Sequence, residues 1–325
     1  MEFYKYIENK ININKNQQFV AIIGSKPSKG ARSPILWNRA YKKMKINRTM
    51  IPLDVKNNNL KKLINSLQKN KNFHGCSVTI PYKEKIMRYL DTIDISAKKI
   101  GSVNTIVKKN SKLYGYNTDL MGCNYSLDKL KKNPTFKKII IIGCGGVGKA
   151  CIVSVLKKFP KSNIYLLNRN YLKLKIFLKR FPKRKNIKVL TNYMELEKLK
   201  FCDLLINATS LGFDFNIKEK NKIINLKYFT PISMIKFDKI TNLDEIYKNI
   251  IKKNILLTTK FFLRNPKIKV FDVIYNPKKT TLLEIADIFS IKNLNGLIMN
   301  LMQAVYAFNL SNTSKSINSI KKAMI

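Results

Sequence analysis

Residues 139–150 read IIIIGCGGVGKA, a run of four isoleucines followed by a glycine-rich turn. The isoleucines favour a buried β-strand, and the residues after Gly148 have the pattern of a helix. A turn this tight needs residues without a Cβ, and the start of the helix offers free backbone N–H groups to a phosphate. The G-x-G-x-x-G spacing of Gly143, Gly145 and Gly148 therefore predicts a dinucleotide-binding strand-loop-helix unit.

The same stretch comes close to a different phosphate loop. GCGGVGK has the spacing of a P-loop up to Lys149, but a P-loop continues with Ser or Thr, whose hydroxyl binds magnesium. This chain has Ala150 at that position. Because the hydroxyl is missing, the sequence argues against an NTPase.

The end of the next predicted strand, in NIYLLNRN (163–170), distinguishes NAD from NADP. In an NAD site this strand usually ends with Asp or Glu, which accepts a hydrogen bond from the ribose 2′-OH. Here it ends with Asn168 and Arg169, and the Arg169 guanidinium can pair with a 2′-phosphate in a bidentate manner. Lys173, about one helical turn later, would add a second positive charge. We therefore predict NADP as the cofactor; the alternative is that Arg169 is an ordinary surface cation.

Strand and helix patterns alternate along the chain, which predicts an α/β fold, with a parallel sheet in the second half. In the first half, buried strands are expected in residues 19–24, 48–55 and 74–80. Residues 103–117 have the pattern of a hairpin with its turn at Asn110 and Ser111. A helix is expected to begin with Ser33 as its cap and Pro34 in its first turn.

Polar residues and Pro134, within residues 131–138, separate two strongly patterned halves. We predict an N-terminal α/β domain over residues 1–130 and a Rossmann-like NADP-binding domain over 131–294. The Lys- and Asn-rich residues 214–270 have no clear pattern, so their role stays open.

The composition is strongly basic. The 325 residues include 63 Lys and Arg but only 19 Asp and Glu, so the net charge is +44. Such a charge can attract nucleic acid or an anionic membrane. The excess of Lys, Asn and Ile runs along the whole chain, however, and no RNA-binding signature is present, which favours a compositional bias. We expect nonspecific binding to polyanions in vitro, but no specific nucleic acid and no membrane as partners.

Cysteine and histidine usage restricts the chemistry and the compartment. Five cysteines without C-x-x-C spacing and a single histidine, His74, predict neither a disulfide framework nor a metal site. The first residues, MEFYKYIENK, lack the apolar core of a signal peptide, and no apolar run is long enough to span a bilayer. These features predict a reducing, cytoplasmic location.

Polar residues also follow two predicted strands of the first half, in SVTIPYKEK (77–85) and GYNTDLMG (115–122). The ends of parallel strands are where α/β folds build ligand sites. The glycine loop would bind a hydride carrier but supplies no acid or base. The interconversion of a carbonyl and an alcohol also needs a protein group that gives and takes a proton at the oxygen. Because the chain has a single histidine, the candidates for this group are Lys, Tyr, Asp and Glu. If the two strand ends face each other, Asp119 would hold the ammonium group of Lys83. The alternative is that Lys83 is a solvated surface lysine.

Eight short motifs occur in the order typical of the shikimate dehydrogenase family, and they span the chain from about Ala21 to Phe308. They read SVTIPYKE, GSVNTIV, GYNTD, IIGCGGVGKA, NRN, INATSLGF, DVIYNPKKTTLL and NGLIMNLMQAV. This resemblance implies the reversible, NADPH-dependent reduction of 3-dehydroshikimate to shikimate in aromatic amino acid biosynthesis. It also implies two α/β domains: residues 1–130 would be the substrate-binding and catalytic domain, completed by about 295–325, where the C-terminal helix packs back on it.

The resemblance implies a role for each residue that matches a family motif. The implied catalytic residues are Lys83 and Asp119. The implied substrate-binding residues are Ser33, Thr79, Asn104, Asp119, Tyr275 and Gln303. The implied NADP-binding residues are Gly143, Gly145, Gly146, Val147, Asn168, Arg169, Lys173, Val273 and Gly296.

One departure from the family concerns the substrate carboxylate. The family motif Ser-x-Ser-Pro is replaced by Ala31, Arg32, Ser33 and Pro34, in a loop one residue longer than usual. Losing a hydrogen bond to a carboxylate costs about 1.5–3 kcal/mol unless another group, such as Arg32 or Ser28, replaces it. Quinate or a related cyclic hydroxy acid therefore stays an alternative substrate. A non-catalytic nucleotide- or nucleic-acid-binding protein is the alternative from another class, and both a monomer and a homodimer stay open.

Overall fold

The computed structural model describes residues 2–130, 136–219, 222–233, 243–312 and 316–325. It divides into two compact units, Met1–Gly122 with Leu301–Ile325, and Cys123–Asn300. The break predicted at residues 131–138 falls partly on 131–135, which lie outside the described residues. No helix within the described ranges is long and apolar enough to cross a membrane.

The helices and strands of the described residues alternate along both units. The strands are β1 (Phe19–Gly24), β2 (Thr49–Asp54), β3 (Phe73–Val78), β4 (Thr92–Ile93), β5 (Thr105–Lys109), β6 (Lys112–Tyr116), β7 (Lys138–Ile142), β8 (Asn163–Leu167), β9 (Ile187–Val189), β10 (Leu204–Asn207), β11 (Asn216–Glu219), β12 (Lys222–Asn225), β13 (Lys269–Asp272) and β14 (Asn293–Leu294). The α-helices are α1 (Ser33–Lys43), α2 (Leu60–Lys69), α3 (Ile95–Ile100), α4 (Asp119–Leu130), α5 (Gly146–Lys158), α6 (Tyr171–Leu178), α7 (Tyr193–Glu197), α8 (Leu243–Arg264), α9 (Thr281–Ile288), α10 (Leu297–Asn312) and α11 (Ile317–Met324).

The first unit is built on a mixed sheet in which the described strands have the order β2-β1-β3-β5-β6-β4. β1 runs parallel to β2 and β3, whereas β5 is antiparallel to both β3 and β6. The predicted hairpin is confirmed: Asn110 and Ser111 have φ angles of 47° and 61°, which suit the tight turn between antiparallel strands. Because β5 is antiparallel to both of its neighbours, β3 and β6 run in the same direction and end at the same edge of the sheet.

The predicted cap of α1 is wrong. The N-cap residue is Arg32, whose φ and ψ of −76° and −23° are already helical, and no side chain caps the helix. The backbone N–H of Leu36 bonds to the Arg32 carbonyl, so the helical turn begins one residue earlier than expected. Ser33 is therefore the first helical residue, and Pro34 occupies the first turn as predicted, where its missing N–H leaves no helical hydrogen bond unmade.

The C-terminal helix packs back on the first unit, as predicted. The ring of Phe308 on α10 lies 5.1 Å from the ring of Trp37 and 5.0 Å from that of Tyr41, both on α1. All three side chains are fully buried. The guanidinium of Arg48 also donates to the Asn312 side chain at 2.7 Å, which ties the end of α10 to the entrance of β2.

The second unit has the parallel sheet expected of a Rossmann-like domain. Its described strands lie in the order β14-β13-β10-β7-β8-β9, and each neighbouring pair is parallel. Ile140 and Ile142 of β7 are buried at the centre of its core. After β7 the chain adds β8 and β9 on one side and then crosses to β10 on the other side. At such a switch in strand order, α/β sheets bind ligands beyond the carboxyl ends of the strands.

The described part of residues 214–270 includes a hairpin and a long helix. The first is the antiparallel hairpin of β11 and β12, and the second is the 22-residue helix α8. Residues 220–221 and 234–242 lie outside the described residues. Phe261 and Phe262 of α8 are fully buried in the same core as β7, so this helix is part of the second unit's interior packing.

The packing of Phe308 can be tested by truncation. Phe308→Ala should lower the free energy of unfolding by about 3–5 kcal/mol, because it removes a buried ring and leaves a cavity against α1. Denaturant unfolding followed by circular dichroism measures the change. Ile35→Ala, on the same helix α1 but 63% exposed, is the control and should have little effect. Equal effects of the two variants would contradict this account of the C-terminal helix.

Candidate active site

A polar cluster lies at one edge of the first unit's sheet. β3 and β6 end at this edge and β5 begins there, so the residues that follow β3 and β6 meet those that precede β5. Lys83 follows β3, Asn104 precedes β5, and Asp119 follows β6 as the first residue of α4. The topology thus brings together residues that are 36 positions apart in the chain.

Lys83 and Asp119 form a nearly buried ion pair. Their Nζ and Oδ2 atoms are 2.6 Å apart, and the side chains are 14% and 6% exposed. Two contacts hold the backbone around Lys83: the Val103 N–H donates to the Lys83 carbonyl at 2.8 Å, and the Tyr82 hydroxyl donates to the Val55 carbonyl at 2.6 Å. The pairing expected from the sequence is therefore present, and Lys83 is not a solvated surface lysine.

Asn104 supports the same pair from the other side. Its amide nitrogen lies 2.9 Å from Asp119 Oδ1, 3.0 Å from the Thr118 hydroxyl and 3.3 Å from Gln303 Oε1. Its carbonyl oxygen accepts from the Thr118 N–H at 2.8 Å and from the Thr105 hydroxyl. Asp119 therefore uses one oxygen for Lys83 and the other for Asn104, and Gln303 of α10 joins the cluster.

The other predicted substrate residues of the first unit lie at neighbouring strand ends. Thr79 follows β3, and its N–H donates to the Ile23 carbonyl at 2.8 Å. Ser33 is buried at the start of α1, where unpaired N–H groups favour an anion. Ser28 does not replace the missing hydroxyl of Ala31: its N–H and hydroxyl both donate to the Asp54 carboxylate, at 2.9 and 2.5 Å.

His74 is set apart from this chemistry. It lies at the beginning of β3, whereas Lys83 follows its end, and its ring contacts the side chain of Gln18. Burial and the charges of Arg48 and Lys108 lower the pKa of His74 to about 4. The imidazole is therefore neutral near pH 7.

The glycine loop of the second unit follows β7 as predicted. Gly143 has a φ of +111°, and a Cβ at this position would lie 2.5 Å from the Ala208 carbonyl oxygen. A Cβ on Gly148 would lie 2.3 Å from the Gly143 carbonyl oxygen. Gly145 is different, because a Cβ there would meet nothing within 4 Å. Gly143 and Gly148 are thus required by the protein's own packing, while Gly145 borders open space.

That open space fits a dinucleotide phosphate. Gly146 and Val147 are the first residues of α5, a 13-residue helix whose first N–H groups have no helical partner. Arg169 and Lys173, after β8, are exposed. The arrangement combines a backbone cradle with two cations, as the sequence predicted for NADP.

Asn168 has a supporting contact that the sequence did not reveal. Its Oδ1 accepts from the Cys144 N–H at 2.9 Å, and its amide nitrogen donates to the Asn170 carbonyl at 2.8 Å. Asn170 in turn caps α6 by accepting from the Lys173 N–H. Asn168 therefore fastens the glycine loop to the end of β8, next to the exposed Arg169.

Val273, Tyr275 and Gly296 are gathered around the end of β13. The Gly296 N–H donates to the Ile274 carbonyl at 2.7 Å, and a Cβ on Gly296 would lie only 1.9 Å from the Val273 carbonyl oxygen. The ring of Phe213 lies edge-on to Tyr275, with ring centres 6.4 Å apart. The three predicted residues therefore belong to one tightly packed corner of the second unit.

Sequence reasoning missed a buried carboxylate at this corner. Asp272 is fully buried, and burial raises its pKa to about 6. It accepts hydrogen bonds from the side chains of Asn207 and Thr280 and from the Ile274 N–H. The available signal was the position of Asp272 and Asn207, each of which directly follows a short apolar run and ends a strand, β13 and β10 respectively.

The comparisons with known proteins agree with this architecture. A family model described as the shikimate dehydrogenase substrate binding domain matches residues 22–106. A shikimate dehydrogenase (NADP(+)) of Halothermothrix orenii is 35% identical over 303 residues, which cover 91% of each chain. The chain belongs to the shikimate dehydrogenase family.

Solved structures of the family have the same fold. The shikimate dehydrogenase of Aquifex aeolicus superposes with a TM-score of 0.71 at 27% identity, covering 96% of this chain and 99% of that one. A shikimate dehydrogenase solved in complex with NADP+ gives a TM-score of 0.70 at 27% identity, covering 96% of both chains.

Alanine variants at two glycines of the loop should distinguish an effect on cofactor binding from an effect on stability. Gly145→Ala should weaken NADPH binding by about tenfold, because the new methyl group would occupy the space where a pyrophosphate can approach. Its stability should stay close to that of the parent, since its φ of −78° suits alanine. Gly143→Ala, the matched control, should instead lower the free energy of unfolding by about 1–3 kcal/mol. Fluorescence titration with NADPH and thermal unfolding measure the two effects, and loss of stability in Gly145→Ala would contradict this division.

Proposed function

We propose that this protein is an NADP-dependent shikimate dehydrogenase, which reversibly reduces 3-dehydroshikimate to shikimate. The observation that carries the proposal is the 2.6 Å ion pair between Lys83 and Asp119, in a cluster that also includes Asn104 and Gln303. The name of the Halothermothrix orenii relative supports the substrate and the cofactor.

The two units would divide the work. Residues 1–130, completed by about 295–325, bind the cyclic acid, and residues 131–294 bind NADP. The presence of Lys83, Asn104, Asp119 and Gln303 in one cluster supports the first assignment. The cradle at Gly145 supports the second.

Lys83 and Asp119 manage the proton of the reaction. Bound NADPH supplies a hydride to the carbonyl carbon. The ammonium group of Lys83 donates a hydrogen bond to the carbonyl oxygen, stabilises the negative charge that develops there and transfers one proton to it, which leaves a neutral amine. Asp119 holds Nζ in place, and the nearly buried setting strengthens the electrostatic effect of the ammonium. In the oxidation of shikimate, the neutral amine of Lys83 takes the hydroxyl proton and becomes an ammonium again.

The neighbouring polar groups orient the acid. The amides of Asn104 and Gln303 and the hydroxyl of Thr79 bind ring hydroxyls, and Asp119 accepts from one of them. Ser33 and the first N–H groups of α1 bind the carboxylate, and Tyr275 is assigned to the acid as well. The hydrogen bond from Asn104 to Asp119 supports this arrangement, because it fixes both acceptor and donor before the acid binds.

The NADP contacts follow from the second unit. Gly143, Gly145, Gly146 and Val147 hold the pyrophosphate, with Asn168 fixing their loop. Arg169 and Lys173 bind the 2′-phosphate, and Val273 and Gly296 border the nicotinamide. The exposed position of both cations supports the preference for NADP over NAD.

The reaction would serve aromatic amino acid biosynthesis in the cytoplasm. All five cysteines are buried free thiols, which fits a reducing compartment. Quinate is the second candidate substrate. It is favoured by Ala31, because Ser28 is bonded to Asp54 and does not supply the missing hydroxyl.

Reduction of NADP by the purified protein tests the activity. We expect turnover with shikimate and NADP, and much slower turnover with NAD, because NAD lacks the phosphate that Arg169 and Lys173 would bind. Turnover with quinate alone would keep the mechanism but replace the substrate. No turnover with either acid would contradict the proposed activity, and salt-dependent RNA binding would then favour the non-catalytic alternative.

Lys83 variants test the mechanism. Lys83→Ala should lower kcat by about 10²–10⁴-fold, with a smaller effect on KM for shikimate, because the lost group acts on the reacting oxygen. Lys85→Ala is the matched control. Lys85 is two residues after Lys83, and its exposed ammonium group donates to the Asn57 side chain instead of to Asp119. Steady-state kinetics at saturating NADP measures both variants. A Lys83→Ala enzyme with nearly parental kcat would rule out this role.

A further inference from the structure

Asp272 is a buried carboxylate to which the proposed chemistry assigns no role. It is the last residue of β13 and is fully buried. Burying a carboxylate is costly, and its three hydrogen-bond donors are an amide, a hydroxyl and a backbone N–H. Three donors around one buried carboxylate indicate that Asp272 fixes the segments that supply them.

The donors come from different segments. Asn207 Nδ2, at the end of β10, lies 3.0 Å from Asp272 Oδ1. The Ile274 N–H is also 3.0 Å from Oδ1, and the Thr280 hydroxyl is 2.7 Å from Oδ2. Thr280 is the N-cap of α9. The carboxylate therefore binds both the start and the end of the loop 273–280 and fastens that loop to the neighbouring strand.

The same network extends towards the glycine loop. Besides its bond to Asp272, Asn207 donates to the Leu211 carbonyl at 3.1 Å and accepts from the N–H and hydroxyl of Thr209. This orders the turn after β10. The Ala208 carbonyl in that turn is the group that leaves no space for a Cβ on Gly143.

The loop that Asp272 fastens carries Val273 and Tyr275, on either side of the bonded Ile274. The Val273 N–H donates to the Asn207 carbonyl at 3.0 Å, and Gly296 closes on Val273 and Ile274 from the other side. The Asn276 carbonyl accepts from the Asp214 N–H at 3.1 Å. Each end of the loop is thus fixed, and the carboxylate is the group common to both ends.

We propose that Asp272 is a positioning residue that fixes the positions of Val273, which we assign to the nicotinamide, and of Tyr275, which we assign to the acid. The inference rests on the proposed function. Without the carboxylate, the loop loses its bond at Ile274 and its bond at Thr280 together, and the two side chains lose their fixed position. A displacement of about 1 Å at a reacting group can cost about 10²-fold in rate.

The test compares Asp272→Ala, Asp272→Asn and Asp203→Ala. In Asp272→Asn the oxygen can still accept from Asn207 and Ile274, and the Thr280 hydroxyl can accept from the new amide. Asp203 is the matched control, because it directly precedes β10 and so lies at the amino end of the strands, away from the loop 273–280. Its Oδ2 accepts hydrogen bonds from the Lys137 and Lys138 N–H groups, each at 2.7 Å.

The readouts separate positioning from folding. Binding of NADPH is compared with binding of adenosine 2′,5′-bisphosphate, which lacks the nicotinamide, and kcat and KM for shikimate are measured with thermal stability. We expect Asp272→Ala to weaken NADPH binding and to raise KM for shikimate, each by about tenfold, with bisphosphate binding within about threefold of the parent. Asp272→Asn should keep most of both functions. Asp203→Ala should lose stability only.

Two results would overturn the proposal. One is an Asp272→Ala protein with lower stability but parental kinetics and NADPH binding, and the other is an equal loss of NADPH and bisphosphate binding. If Asp272→Ala does not fold, Thr280→Val replaces it, with Thr280→Ser as the variant that keeps the hydroxyl. Thr280→Val should then show the same selective loss of NADPH binding, and parental binding would reject the role.

The proposed function can fail separately. A parent protein that binds NADPH but oxidises neither shikimate nor quinate would reject the activity. The comparison of NADPH with the bisphosphate needs no turnover, so it would still decide whether Asp272 positions the nicotinamide end of the site.

Discussion

The ion pair between Lys83 and Asp119 constrains the whole polar cluster of the first unit. Two charges that are nearly withdrawn from water are stable only if their remaining hydrogen-bonding capacity is used. Asn104 meets this need by bonding to the second oxygen of Asp119, and its own carbonyl oxygen is held by Thr118. The ammonium group of Lys83, to which we assign the proton transfer, is therefore held by Asp119, and Asp119 is held in turn by Asn104.

In the second unit, the main constraint is that backbone segments pack closely against each other at the carboxyl ends of the strands. Gly143 and Gly148 let the glycine loop pack against the turn after β10, and Gly296 does the same at the end of β13. Among these glycines, Gly145 is the one at which a Cβ would meet no atom within 4 Å, so its missing side chain leaves space for a ligand. Asp272 and Asn207 then tie the two strand ends together, which makes the carboxyl edge of this sheet a rigid frame for the proposed cofactor.

Local patterns predicted most of the elements correctly because each had a strong local cause. The hairpin at Asn110 and Ser111 and the strand before Gly143 are examples. The prediction of Ser33 as a helix cap was wrong, since the turn already begins with the Arg32 carbonyl. Helix α8 had no readable pattern, because it mixes buried Phe261 and Phe262 with many lysines and exposed apolar residues. Asp272 was missed because a single aspartate at a strand end does not reveal whether it is buried.

The sequence by itself determined the α/β class, the glycine loop, the charge character of the end of β8 and the family motifs around Lys83 and Asp119. These features depend on residues close together in the chain, where spacing and side-chain type are sufficient. The tertiary structure decided which distant residues meet: that Gln303 joins Asn104, that Ser28 is bonded to Asp54, and that Asp272 binds both ends of one loop. Such contacts depend on strand order and direction, and neither can be read from the local spacing of residues.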